Sequence, residues 1–270
     1  MMCSNENGVL CFQRVSHSYA VPGKTPGDAV RPVLHDISLH IRKGEIFCIV
    51  GPSGCGKSTL VNLAAGLQVP SSGQVYAHGK PVTEPGTDRA VMFQNDTLFP
   101  WLSVRHNIAF GPACRRNDQR LREVDEMVRL VGLGGFEEYL PAALSGGMRQ
   151  RVALARALIT HADILLLDEP FASLDAQTRE AMQELLLSIH QRFRPTILLV
   201  THDIEEAAFL GDRAAVLRPQ PQGSEFCTML DIDLPRPRTA LMRENTRLVE
   251  LRQSLRTTIR SVSNNAGTIL

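Results

Sequence analysis

The chain has 270 residues, 43% hydrophobic and 21% charged, the balance of a globular protein that can bury a sizeable core in one or two domains. A formal net charge of +1 gives no electrostatic case for nucleic acid as the main partner, and no apolar run approaches the length that spans a bilayer. The six cysteines (Cys3, Cys11, Cys48, Cys55, Cys114 and Cys227) lack paired metal-type spacing, and residues 1–8 lack the basic start and apolar stretch of a secretory leader, so they read as reduced thiols of a cytosolic protein.

In chain order, residues 9–20 and 33–50 interleave β-branched and aromatic residues with polar ones and read as β-structure, joined by a loop of turn formers over 22–28. Tyr19 has two readings: a ring that stacks on a nucleotide base, or a residue of an ordinary sheet surface. The apolar run 46–50 leads into Gly51, Pro52, Ser53, Gly54, Cys55, Gly56, Lys57, Ser58 and Thr59, and then into an apolar helix start over 60–65. Strand, glycine-rich turn and helix form the context of a P-loop. Glycines at 51, 54 and 56 let the backbone wrap with its N–H groups inward, and the opening helix adds its positive end. Lys57 is placed to reach terminal phosphates and the Ser58 hydroxyl to hold Mg²⁺. The chain therefore binds a nucleoside triphosphate. Cys55 reads as a small loop residue rather than an oxidation-sensitive switch.

Residues 70–73 form a turn, with short strands at 74–77 and 89–93. A loop over 95–101 follows, and helix from about Val104. Leu121, Val124, Val128 and Val131 mark one helix face, ended by Gly132, Gly134 and Gly135. Ser145, Gly146 and Gly147 precede a helical run to Leu158, offering a second set of N–H groups at a helix start, with serine as cap and phosphate donor. The run 164–167 suits a parallel strand buried on both faces, with Asp168 and Glu169 at the end where α/β sheets bind ligands: Asp168 for Mg²⁺, Glu169 beside the attacking water. In a helix over 177–193, Met182, Leu185, Leu186, Ile189 and Phe193 form a core face. A strand over 196–200 ends at His202, and strands near 213–218 and 226–233 complete the core. Residues 234–238 read as an extended basic linker, and Leu248, Leu251, Leu255 and Ile259 as the apolar face of a last helix whose arginines are solvated.

This order of motifs resembles the ATP-binding subunit of ABC transporters, over about residues 9–235. The resemblance implies an α/β fold: a P-loop NTPase (RecA-like) core with an antiparallel β subdomain and an α-helical subdomain inserted at about 95–160, then a helical tail over 236–270. It also implies site roles. Tyr19 stacks on adenine; Gln94 contacts Mg²⁺ and water; Glu169 is the catalytic base or orients water; His202 holds the γ-phosphate; and Asp175 lies at a dimer contact. Met148 stands where the family often has glutamine, which removes a possible polar contact to ATP and leaves Ser145–Gly147 unaffected. Two copies are expected to pack head to tail, each ATP lying between one P-loop and the other copy's Ser145–Gly147.

Within that family, residues 93–101, 107–111 and 234–238 look like importers of the nitrate, aliphatic sulfonate and taurine group, while importers of thiamine or riboflavin precursors share much of the pattern. Phe99, Pro100 and Trp101 fall where a membrane subunit's coupling helix docks, or pack locally. The 35 residues after Pro235 are too few for a large regulatory domain. The expectation is an ATPase at the cytoplasmic face of the inner membrane, with permease subunits and indirectly a solute-binding protein as partners. A soluble ABC ATPase without transport is the alternative.

Overall fold

The structure, a computed structural model, describes residues 8–20, 30–218 and 227–264. Cys3, the opening stretch, the 22–28 loop and residue 226 of the expected last strand lie outside the described residues. The elements begin with β1 (Gly8–Ala20), β2 (Val30–Arg42), β3 (Ile46–Val50), α1 (Lys57–Ala65), β4 (Ser72–Ala77), β5 (Lys80–Pro81) and β6 (Arg89–Met92). There follow α2 (Val104–Cys114), α3 (Asp118–Arg122), α4 (Val124–Leu130), α5 (Gly146–Leu158), β7 (Ile164–Asp168) and α6 (Ala176–Phe193). The chain ends with β8 (Thr196–Thr201), α7 (Ile204–Leu210), β9 (Arg213–Leu217), β10 (Cys227–Asp231) and α8 (Thr246–Asn264).

Two units form, Met1–Gly86 with Thr196–Leu270, and Thr87–Pro195. In the first, β1 pairs antiparallel with both β2 and β4, giving the antiparallel sheet its polar and apolar alternation. A second sheet has β3 between β8 and β9, parallel to both, with β10 antiparallel on the β9 edge. Every residue of β3 and β8 is buried, as continuous apolar runs demand of strands covered on both faces. In the second unit β6 and β7 form a parallel pair, and α2 to α6 supply the helices.

Four sequence expectations change. The single stretch 33–50 is two strands, broken by a turn at Lys43 and Gly44. The helix face 121–131 is two short helices divided at Glu123, whose carboxylate takes hydrogen bonds from Arg120 at 3.1 Å and pairs with His161 Nε2 at 2.6 Å. Those two partners hold Glu123 and lower its pKa against the opposing effect of desolvation. Phe193 is 41% exposed under Arg192, 4.9 Å from its ring centre, and Leu185 is half-buried, while Gln183, Leu187 and His190 are buried instead.

The fourth concerns residues 234–238. Arg238 has a fully buried side chain. Its guanidinium donates to the carbonyls of Phe209 (2.9 Å), Gly211 (2.7 Å) and Leu234 (3.2 Å). Arg236 donates to Leu210 O at 3.1 Å and to Asp212 Oδ1 at 2.8 Å. Two arginines thus cap the carbonyl end of α7, where the helix dipole is negative. The segment is an anchor. It delivers α8, which buries Leu248, Leu251 and Leu255 and pairs Arg252 with Glu205 of α7 at 2.8 Å.

Candidate functional site

The phosphate loop follows from how β3 hands over to α1. Gly56 takes φ 97° at the helix N-cap, and a Cβ there would lie 2.6 Å from Leu34, so both conformation and space demand glycine. Lys57 is 6% exposed, and its ammonium donates to the carbonyls of Gly51 (2.8 Å) and Pro52 (3.1 Å), holding the cation across the loop. Ser53, Gly54 and Ser58 face outward. Cys55 is buried, with its sulfur 2.8 Å from where a Gly51 Cβ would stand, so it fills the base of the loop. None of the five described cysteines is in a disulfide.

Tyr19, at the end of β1, donates to Gln68 Oε1 at 2.9 Å and lies 3.1 Å from Thr59 Oγ1. That tethers the strand end to the P-loop helix and leaves the residue 37% exposed. His202 leaves β8 beside the loop, because Val50 and Thr201 are paired in register. Its stretch is set by Thr201, whose hydroxyl donates to buried Glu206 at 2.6 Å and accepts from Asp203 N–H at 2.9 Å. Asp203 in turn caps α7 by accepting from the N–H groups of Glu205 and Glu206.

In the second unit, Met92 and Leu167 are paired, so Gln94 and Glu169 each stand two residues past the same end of the parallel pair. Asp168 is the last residue of β7 and is buried; Glu169 is half-buried. Glu169 adopts φ 47°, a left-handed conformation that costs a glutamate energy and turns the chain sharply after the strand. Ser145 caps α5, accepting from Met148 N–H at 3.3 Å, while Met148 itself is half-buried. A Cβ on Gly147 would lie 2.3 Å from Thr178 Cγ2, so glycine lets the start of α5 approach the first turn of α6. Asp175 caps α6, and the Thr178 N–H it accepts at 3.0 Å holds its carboxyl below the usual range. The structure therefore brings Ser145, Gly147 and Asp175 together at adjoining helix starts.

Sequence reasoning passed over the residues that hold these loops. Asn107, fully buried, accepts from Phe99 N–H and donates to the carbonyls of Phe99, Leu102 and Ser103, fixing the turn that carries Trp101. Gln150 donates to Gln94 O at 3.3 Å. A buried amide on an otherwise apolar helix face was the one available signal.

Comparison with known proteins agrees with this arrangement. The ABC transporter family model matches residues 34–172. The chain is 45% identical over 252 residues to the nitrate import ATP-binding protein NrtD of Synechococcus elongatus, covering 91% of this chain and 89% of that relative. It is 49% identical over 209 residues to the bicarbonate transport ATP-binding protein CmpC of the same organism, covering 76% of this chain and 31% of the relative. A solved dimeric post-hydrolysis state of the ATP-binding cassette MJ0796, bound to ADP and Pi, matches with a TM-score of 0.71 at 28% identity, over 83% of this chain and 98% of that one. With a P-loop NTPase α/β fold and this breadth of similarity, the chain belongs to the ABC transporter family, as an ATP-binding cassette that hydrolyses ATP.

Proposed function

We propose that this cassette energises import of a small anion, nitrate first, through separate membrane subunits. The observation that carries the reading is 45% identity to a nitrate import ATP-binding protein across nine-tenths of both chains. The bicarbonate transport relative favours a second anion of the same class, and residues 93–101 and 234–238 keep taurine and aliphatic sulfonates beside it.

The residue roles rest on motif order and local geometry. Lys57 and the inward N–H groups of residues 51–59 cradle the phosphates. Ser58, Gln94 and Asp168 are hard oxygen donors that would hold Mg²⁺, which would supply neutralisation of phosphate charge. Glu169 accepts a proton from, or orients, the attacking water; His202 donates to the γ-phosphate; Tyr19 stacks on adenine. Ser145, Gly146 and Gly147 of a second copy close over the nucleotide head to tail, with Asp175 at the contact; the dimeric ADP-bound neighbour supports this pairing. Hydrolysis then loosens the closed pair, a ligand-driven switch.

We assign residues 9–235 to the ATP-binding domain, with its helical insertion at about 95–160 and a tail from 236. Phe99, Trp101 (72% exposed) and Phe110 (40% exposed) form an aromatic patch, held by Asn107, that suits a coupling helix of the permease. No described helix is long and apolar enough to cross a membrane. Attachment at the cytoplasmic face through that partner belongs to the same proposal.

Labelled uptake in the native cells, comparing wild type with Lys57→Ala, tests the reading on nitrate, bicarbonate, taurine and an alkanesulfonate. Nitrate uptake is expected to fall at least about tenfold in the variant, because losing the phosphate-binding cation removes the energy source. Unchanged uptake of all four solutes sinks the anion-import reading.

A further inference from the structure

Within the unit Thr87–Pro195, side chains of α5 reach the loop that follows β6. Arg149 forks between two targets: Nε donates to Asp96 Oδ2 at 2.9 Å and Nη1 to the Leu144 carbonyl at 2.8 Å. Leu144 immediately precedes the capping residue Ser145, and Asp96 stands two residues after Gln94. Arg156, two turns further along the helix, holds the same loop by its backbone. Its guanidinium donates to Asp96 O at 3.1 Å, Thr97 O at 2.9 Å and Thr97 Oγ1 at 2.9 Å. Gln150 adds its bond to Gln94 O. The loop is held firmly enough for Thr97, a β-branched residue, to sit at φ 45°.

The Arg149 and Asp96 side chains are 36% and 29% exposed, so their attraction is screened and contributes little to overall stability. Geometry gives the pair another role. One planar guanidinium touches the loop carrying Gln94 and the carbonyl next to Ser145 together, a span set by its rigid fork that the shorter point charge of a lysine does not reproduce. Arg156 and Gln150 grip the loop's backbone from further along the same helix, so breaking the pair leaves the loop folded and docked and removes only its tie to the turn before Ser145.

We propose that Arg149 and Asp96 are a positioning pair for ATP turnover, tying the Gln94 loop to the start of α5 so that movement at one is passed to the other. The proposal rests on the phosphate-site roles assigned above to Gln94 and Ser145. The tie itself is two hydrogen bonds of one guanidinium, to Asp96 Oδ2 and to Leu144 O, and coupling through it is what the experiment measures.

The test is steady-state ATP turnover by the full chain, together with thermal unfolding. Asp96→Asn, which keeps the side chain's shape, and Arg149→Lys, which keeps its charge, are each expected to lower kcat about tenfold. KM for ATP should stay within about twofold, since the P-loop is untouched, and Tm within about 2 °C. The double variant, Asp96→Asn with Arg149→Lys, is expected to lose no more than about twofold beyond either single variant, because all three remove the same tie. Wild-type kcat in both single variants overturns the proposal. So does a kcat loss matched by a fall in Tm, or a double variant whose loss is the product of its single variants' losses. Failure of the underlying ATP site reads differently: turnover would then survive Lys57→Ala.

Discussion

Glu169→Gln is expected to cut ATP turnover about a thousandfold while leaving ATP affinity within about threefold. The amide has the carboxylate's shape, so the turn at φ 47° after β7 and the buried Asp168 before it are undisturbed. What disappears is the negative charge that the proposed role gives Glu169 as acceptor for the water's proton. Phosphoryl transfer depends on positioning and charge stabilisation, so removing that acceptor acts on the barrier rather than on binding. Phosphate release and nucleotide titration on the same preparation check both halves. Turnover within tenfold of wild type removes Glu169 from its assigned role.

Arg238→Ala is expected to have the largest effect on stability, lowering Tm by about 8 °C. Three carbonyls, from Phe209, Gly211 and Leu234, lose a charge-assisted donor together, at a site where the side chain that supplied it is fully buried. Burial offsets part of the gain in the native protein: with Arg236 nearby, it pushes the Arg238 guanidinium down to about 10. The net loss is therefore about 3 kcal/mol rather than the sum of the bonds. Calorimetric melting of the full chain measures it. An unchanged Tm means that the anchor does not hold α7.

The frame of the proposed site, its strand ends, glycine turn and helix starts, was legible in the sequence wherever a local pattern carries its own chemistry. Residues 46–65 declare a strand, a glycine turn and a helix by spacing alone, and Gly56 at φ 97° shows why only glycine serves there. Ser145 before an apolar helix and Asp168 after a buried run are equally local. The rest depended on partners far along the chain. Nothing near residue 238 signals that carbonyls 27 and 29 residues earlier need donors, so alternating proline and arginine looked like a solvated linker. Periodicity joined 121–131 into one helix face, but Glu123, held by Arg120 and by His161, 38 residues away, divides it. Phe193 had core spacing, yet the last turn of α6 leaves it exposed beneath Arg192. At residues 123 and 234–238 contacts with distant parts of the chain overrode the local pattern, while at Phe193 the partner is its neighbour in the same helix.

In the proposed dimer ATP lies between the P-loop of one copy and Ser145 of another. Sedimentation of Glu169→Gln with ATP and Mg²⁺, alone and combined with Ser145→Arg, tests that placement. A dimer is expected for the single variant. For the combined variant a monomer that still binds ATP is expected, because the added side chain blocks only the second copy's contact. A dimer that persists in the combined variant contradicts the shared site.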